Sequence, residues 1–153
     1  MKTDKLNEEI EIELKNIAKV INFIKETQNE IGNNEPDVIQ KAAVSQFVSE
    51  FYHGVENILK RLCKFYQIHL PTGNSSHLEL LNMFSYNNDG NLPVIFDNEI
   101  YADFSAIRKF RHYIIHGYAF HIKWDIIKNN VASLDGLFNK FQTNINALLK
   151  SIG

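Results

Sequence analysis

Arg108-Lys109-Phe110-Arg111-His112-Tyr113-Ile114-Ile115-His116-Gly117-Tyr118 places two arginines, one lysine and two histidines within nine residues. Wound as an α-helix at about 100° per residue, with Arg111 set to zero, the stretch has two faces. Phe104, Ile107, Phe110 and Ile114 fall between roughly −100° and +20° and form a core stripe. Arg108, His112, His116 and Lys109 fall between roughly 60° and 160°, with Tyr113 just beyond, and form a basic face. Such a face on a packed helix is often only solvated. The helix end adds information. Gly117 stands where a left-handed residue closes a helix, so His116 is expected in the last turn beside the negative end of the helix dipole. An imidazole so placed is suited to acid or base work near neutral pH.

Outward from this stretch, the chain has the size and composition of one globular domain over residues 1–153. That length is enough to bury a real core. Hydrophobic residues make up 44% and charged residues 22%, and the formal net charge is −2. A protein coated in basic surface is excluded by that charge, so any nucleic-acid contact must be local. The single cysteine, Cys63, has no partner for an internal disulfide and falls among apolar helix positions, where a buried small hydrophobe is expected. The N-terminus is rich in Lys and Glu and has no apolar targeting core. No run approaches the roughly 20 apolar residues of a membrane span. A cytoplasmic protein is expected.

The rest of the chain reads as helices that hold the basic stretch. Leu6, Ile10, Leu14, Ile17, Ile21 and Ile24 recur at helical spacing, predicting a helix over 4–31 with Asp4 as N-cap and Gly32 at its end. Pro36 suits a first helical turn, and a second helix is predicted to run to about residue 69. Its stripe is Ile39, Ala43, Phe47, Phe51, Val55, Ile58, Leu62 and Tyr66. The short connection makes the two an antiparallel hairpin. Gly54 inside the second helix points to close helix packing. Glu56 beside it has two readings: an exposed partner of Lys60 at i+4, which the spacing favours, or a polar residue at the border of the core. A short helix over 77–86 lies between two loops, Asp97 offers an N-cap for the helix carrying the basic stretch, and a last helix covers about 131–149. That last helix has Leu134, Leu137, Phe138, Phe141, Ile145 and Leu148 on one side. No period-2 alternation supports a sheet, and no repeat or linker marks a second domain. The fold class is all-α, an up-down bundle of four to five main helices.

Arg111-x4-His116-x-Tyr118, at the end of a late helix and preceded by a long helix carrying 52–62, resembles the R-x4-H-x-Y signature of the HEPN superfamily. It is most similar to the HepT-like branch of ribonuclease toxins. His112 stands where many HEPN motifs carry a small polar residue, often Asn. The resemblance implies a metal-independent endoribonuclease of a toxin–antitoxin pair, with Arg111 and His116 as catalytic residues and no cofactor. It also implies a homodimer with a shared cleft, and a nucleotidyltransferase antitoxin that adenylylates Tyr118. From the residues alone, Tyr118 reads equally well as a helix-end aromatic packed on the core. The resemblance further suggests a polar site residue from the second helix, for which Glu56 is the candidate. The alternative function is a non-catalytic helical module that binds RNA or a nucleotidyltransferase.

The chemistry of such a cut is set by RNA itself. Attack of a 2′-hydroxyl on the adjacent phosphorus needs a base for that hydroxyl, an acid for the departing 5′-oxygen and a cation for the charge on the phosphorane. The permanently charged, forked Arg111 suits the phosphate oxygens, and His116 suits the proton. Products would be a 2′,3′-cyclic phosphate and a 5′-hydroxyl. Arg108, Lys109, His112 and Tyr113 are candidate RNA-binding or supporting residues, with Tyr113 and Tyr118 suited to stacking on unpaired bases. An i, i+5 pair diverges by roughly 140° on a straight helix, and a second copy of the chain could supply the missing partner. His112 and His116, with His121 beyond, also have the look of metal ligands, but no metal is expected.

Overall fold

Leu6, Ile10, Leu14, Ile17, Ile21 and Ile24 are all buried, and this one-sided stripe, spaced by three and four residues, makes the N-terminal segment an amphipathic helix. The computed structural model describes residues 2–153. The elements are α1 (Lys2–Ile31), α2 (Val38–Phe65), α3 (Ser76–Met83), α4 (Tyr101–Ile115), a 3-10 turn (Ala119–His121), α5 (Trp124–Val131) and α6 (Leu134–Ile152). Among the described residues there is no strand, only an isolated bridge between Ser85 and Phe96. The expected all-α bundle is present, and no helix is long and apolar enough to cross a membrane.

α1 and α2 form the antiparallel hairpin. Arg61 pairs with Glu9 and Glu13, a Cβ on Gly54 would touch Ile17, and Phe47 meets Phe23, so one number falls as the other rises. Gly54 is there for contact: an added Cβ would lie 2.6 Å from Ile17 Cγ1. At the hairpin's turn, Gly32 takes φ +57, and its N–H donates to Gln28 O at 2.9 Å. The core continues through four phenylalanines. Phe104 of α4 lies 6.3 Å from Phe51 of α2, 4.9 Å from Phe96 and 5.5 Å from Phe141 of α6. All four are fully buried, so α2, α4 and α6 are fixed around one aromatic centre.

Several boundaries differ from expectation, each for a physical reason. Asp4 lies inside the first turn of α1, not before it. Asp37, not Pro36, begins α2: its side chain accepts from Gln40 N at 2.7 Å while Gln40 Oε1 accepts from Asp37 N, a complete capping box. Ile39, expected on the core stripe, is 78% exposed, in the first turn of α2. α2 also stops earlier than expected. Gln67 takes φ +58, and the N–H groups of Gln67 and Ile68 donate to Lys64 O and Cys63 O, reversing the chain. Asp97 acts one turn before α4: its carboxylate accepts from the N–H groups of Glu99 and Ile100, and it is tied to α6 by Asn144. Cys63 is fully buried, and burial raises its thiol pKa, as suits a packing residue.

Candidate active site

The core stripe of α4 sets its basic face. Phe104, Ile107 and Phe110 are buried and Ile114 packs partly buried against the core, which turns Arg108, Arg111, His112 and His116 away from it. These four, with Ile115, form one wall of a cavity of about 800 Å³. The opposite wall is the loop and first turn of α3, including Ser75, Ser76 and His77. Arg111 and His116 thus border the same space within one chain despite their i, i+5 spacing. α4 ends at Ile115, and His116 is its C-cap, so the ring is not held to straight-helix geometry.

Gly117 does not take the left-handed conformation expected of it; the positive-φ glycines are Gly32, Gly73 and Gly90. Its role is proximity. A Cβ there would lie 3.2 Å from the carbonyl oxygen of Tyr113, so the tight exit from α4 suits a residue without one. The backbone N–H of His116 donates to His112 O at 3.2 Å, and the two imidazoles lie tilted to one another at a centroid distance of 4.2 Å.

The two arginines of the cavity have no carboxylate partner among the described residues. Among the described residues, Arg61 is held by two carboxylates, whereas neither Arg108 nor Arg111 is in an ion pair. The Nε atoms of Arg108 and Arg111 are buried without a hydrogen-bond partner. Two such guanidinium groups on one cavity wall make a receptor for an anion with several oxygens. Behind them lies Tyr52 of α2, whose hydroxyl is buried and unpartnered. Its pKa is pushed well above the ordinary phenol range, first by burial and then by Glu56, against the opposing pull of Arg108 and Arg111.

Glu56 overturns the reading its spacing favoured. It is 1% exposed and does not pair with Lys60; its Oε2 meets Nδ1 of His77 at 2.7 Å. The signal was present in the sequence. Tyr52, Glu56, Leu59 and Cys63 share a face of α2, and all are buried. His77 went unnoticed because it sits at a loop–helix junction with no periodic pattern around it.

The other expected site residues do not line the cavity. Lys109 and Tyr113 are exposed on the flank of α4. Tyr118 is 68% exposed and stacks on Phe120 at 5.4 Å, so it is not packed on the core. The 3-10 turn carrying Phe120 is tied to α2 through Lys41, whose ammonium donates to the Phe120 carbonyl. Among the described residues no three His, Cys, Asp or Glu side chains form a metal-holding group, and His121 lies tilted against Phe120 and Tyr118, apart from the cavity lining.

A family model described as HepT-like protein matches residues 43–152, from early α2 to the end of α6. No curated protein and no solved structure matches the chain.

Proposed function

The chain belongs to the HepT-like family, and on that premise we propose that it is a metal-independent endoribonuclease, the toxin of a toxin–antitoxin pair. The observation that carries this reading is the shared cavity of Arg108, Arg111, His112 and His116, in which the two arginines have no carboxylate partner. Arg111 and Arg108 bind the scissile phosphate and balance the charge that builds on it. His116 transfers a proton, and the chemistry needs no metal because the attacking group is the RNA's own 2′-hydroxyl.

Tyr118 is the proposed acceptor for an AMP group donated by a nucleotidyltransferase antitoxin. Its exposure and its place two residues after His116 support that role. Phosphate attached there would compete for the arginines and repel RNA. A homodimer is also proposed. Tyr113 and Ile115 are exposed beside the cavity, and a second copy covering them would set two cavities side by side.

The test is cleavage of labelled RNA in EDTA. Cyclic phosphate ends from the wild type, with loss of cutting in folded His116→Ala, support the reading. An inert wild type that still binds RNA or a nucleotidyltransferase replaces it with a binding module.

A further inference from the structure

His77 lies outside the motif, yet it lines the same cavity as His116, and a buried carboxylate holds it. Glu56 is 1% exposed in the middle of an otherwise apolar face of α2, where a leucine would pack at lower cost. Burying an ion pair seldom helps stability. What this pair does achieve is orientation: Glu56 Oε2 lies 2.7 Å from Nδ1 of a ring whose side chain is 48% exposed and lines the cavity. In the neutral ring, donation of Nδ1–H to the carboxylate leaves Nε2 as the acceptor that faces the cavity's contents.

We infer that His77, oriented by Glu56, is the base that removes the proton from the RNA 2′-hydroxyl, with His116 of the same chain as the acid. This rests on the ribonuclease reading above and deepens it. The 2′-hydroxyl proton passes to His77 Nε2 as the 2′-oxygen forms its bond to phosphorus. The bond from phosphorus to the 5′-oxygen breaks, and the leaving oxygen takes a proton from the His116 imidazolium. Arg108 and Arg111 hold the non-bridging oxygens. His116 is the C-cap of α4, on one wall of the cavity, and His77 is on the other, where a carboxylate orients its ring. His77 and His116 are the catalytic residues, and Glu56 is a positioning residue.

A two-histidine site gives a bell-shaped dependence of kcat/KM on pH. The groups around His77 are Glu56 and Tyr52 on α2, Arg108, Arg111, His112 and His116 on α4, and Glu79 on its own helix, which Ser75 already engages. His77→Ala should lose the acidic limb and His116→Ala the alkaline limb.

The decisive test uses the full chain, an RNA that the wild type cuts, and the same RNA with sulfur replacing the 5′-oxygen at the scissile bond. A thiolate departs without a proton, so it bypasses the acid but not the base. On ordinary RNA each variant should fall about 10²–10⁴-fold in kcat. On the sulfur substrate His116→Ala should recover to within about tenfold of wild type, while His77→Ala stays low. Glu56→Gln keeps the volume of the buried side chain, and should lose about 10–100-fold in kcat with little change in KM. His77→Ala cutting ordinary RNA at the wild-type rate, or rescued by sulfur as fully as His116→Ala, overturns the assignment. Glu56→Gln indistinguishable from wild type overturns its positioning half. A wild type that cuts no RNA defeats the ribonuclease reading itself, and this inference with it.

Discussion

Tyr52 shows how far a single residue can be out of balance. Its hydroxyl is fully buried and makes no hydrogen bond, which costs stability that a phenylalanine would not lose. Tyr52→Phe should therefore raise the unfolding free energy by about 1 kcal/mol, read as a higher urea midpoint at pH 7. The same burial holds the phenol proton in the folded state. Because the folded pKa is raised, the unfolded chain releases its proton first, above about pH 10. Stability is then complete below that pH and declines above it. The wild-type midpoint should fall more steeply than that of Tyr52→Phe between pH 9 and 11, with the partly buried Tyr66 leaving a residual slope in both. A parallel decline in the two proteins would show that Tyr52 is not the group responsible. Arg108, Arg111, His112 and His116 were legible at this scale because four side chains within nine residues obey one helical period. Glu56 was legible only as a candidate and its pairing with His77 was not, since the two lie 21 residues apart on different elements.

Helix ends and helix contacts carry the next predictions. Gln67 occupies a left-handed position that costs a side-chain-bearing residue roughly 1 kcal/mol. Gln67→Gly should stabilise the protein by about that amount, a shift visible in thermal melts; a destabilised variant would mean that the Gln67 side chain contributes more than its backbone strain costs. Gly54 works in the opposite direction. Alanine gains about 1 kcal/mol of helix propensity but drives a Cβ to 2.6 Å from Ile17 Cγ1, the methylene next to the branch point and not a flexible tip. Overpacking of about 1–3 kcal/mol outweighs the gain, so Gly54→Ala destabilises. In an Ile17→Ala background the clash is gone and the same change should become neutral or favourable. Equal effects in both backgrounds would count against the contact. The helices themselves were readable from apolar spacing, and Gly54 from its helix cost. Their ends were less so, because caps depend on a few torsion angles: Gln67 turns left-handed without glycine, and Gly117, a glycine after a helix, does not.

At the scale of the whole molecule, the proposed ribonuclease, with a net charge of −2 and its site arginines on one cavity wall, should grip RNA in a small area. Neutralising about two or three phosphates gives a slope of roughly −1.4 to −2 for log affinity against log salt with single-stranded RNA. A slope several times steeper would place most of the binding outside the cavity. The bundle explains why the site lies where it does. Phe51, Phe96, Phe104 and Phe141 fix α2, α4 and α6 about a common centre, so the basic face of α4 is held opposite the loop that brings His77. In the proposed function these side chains cut RNA without a metal. Its most direct test is the 3′ chemistry of RNA incubated with the protein in EDTA, beside Arg111→Ala and His116→Ala of verified fold. The account predicts 2′,3′-cyclic phosphate ends from the wild type and a loss of at least about 100-fold in each variant. Cleavage that requires a divalent cation, or that survives both substitutions, would contradict it.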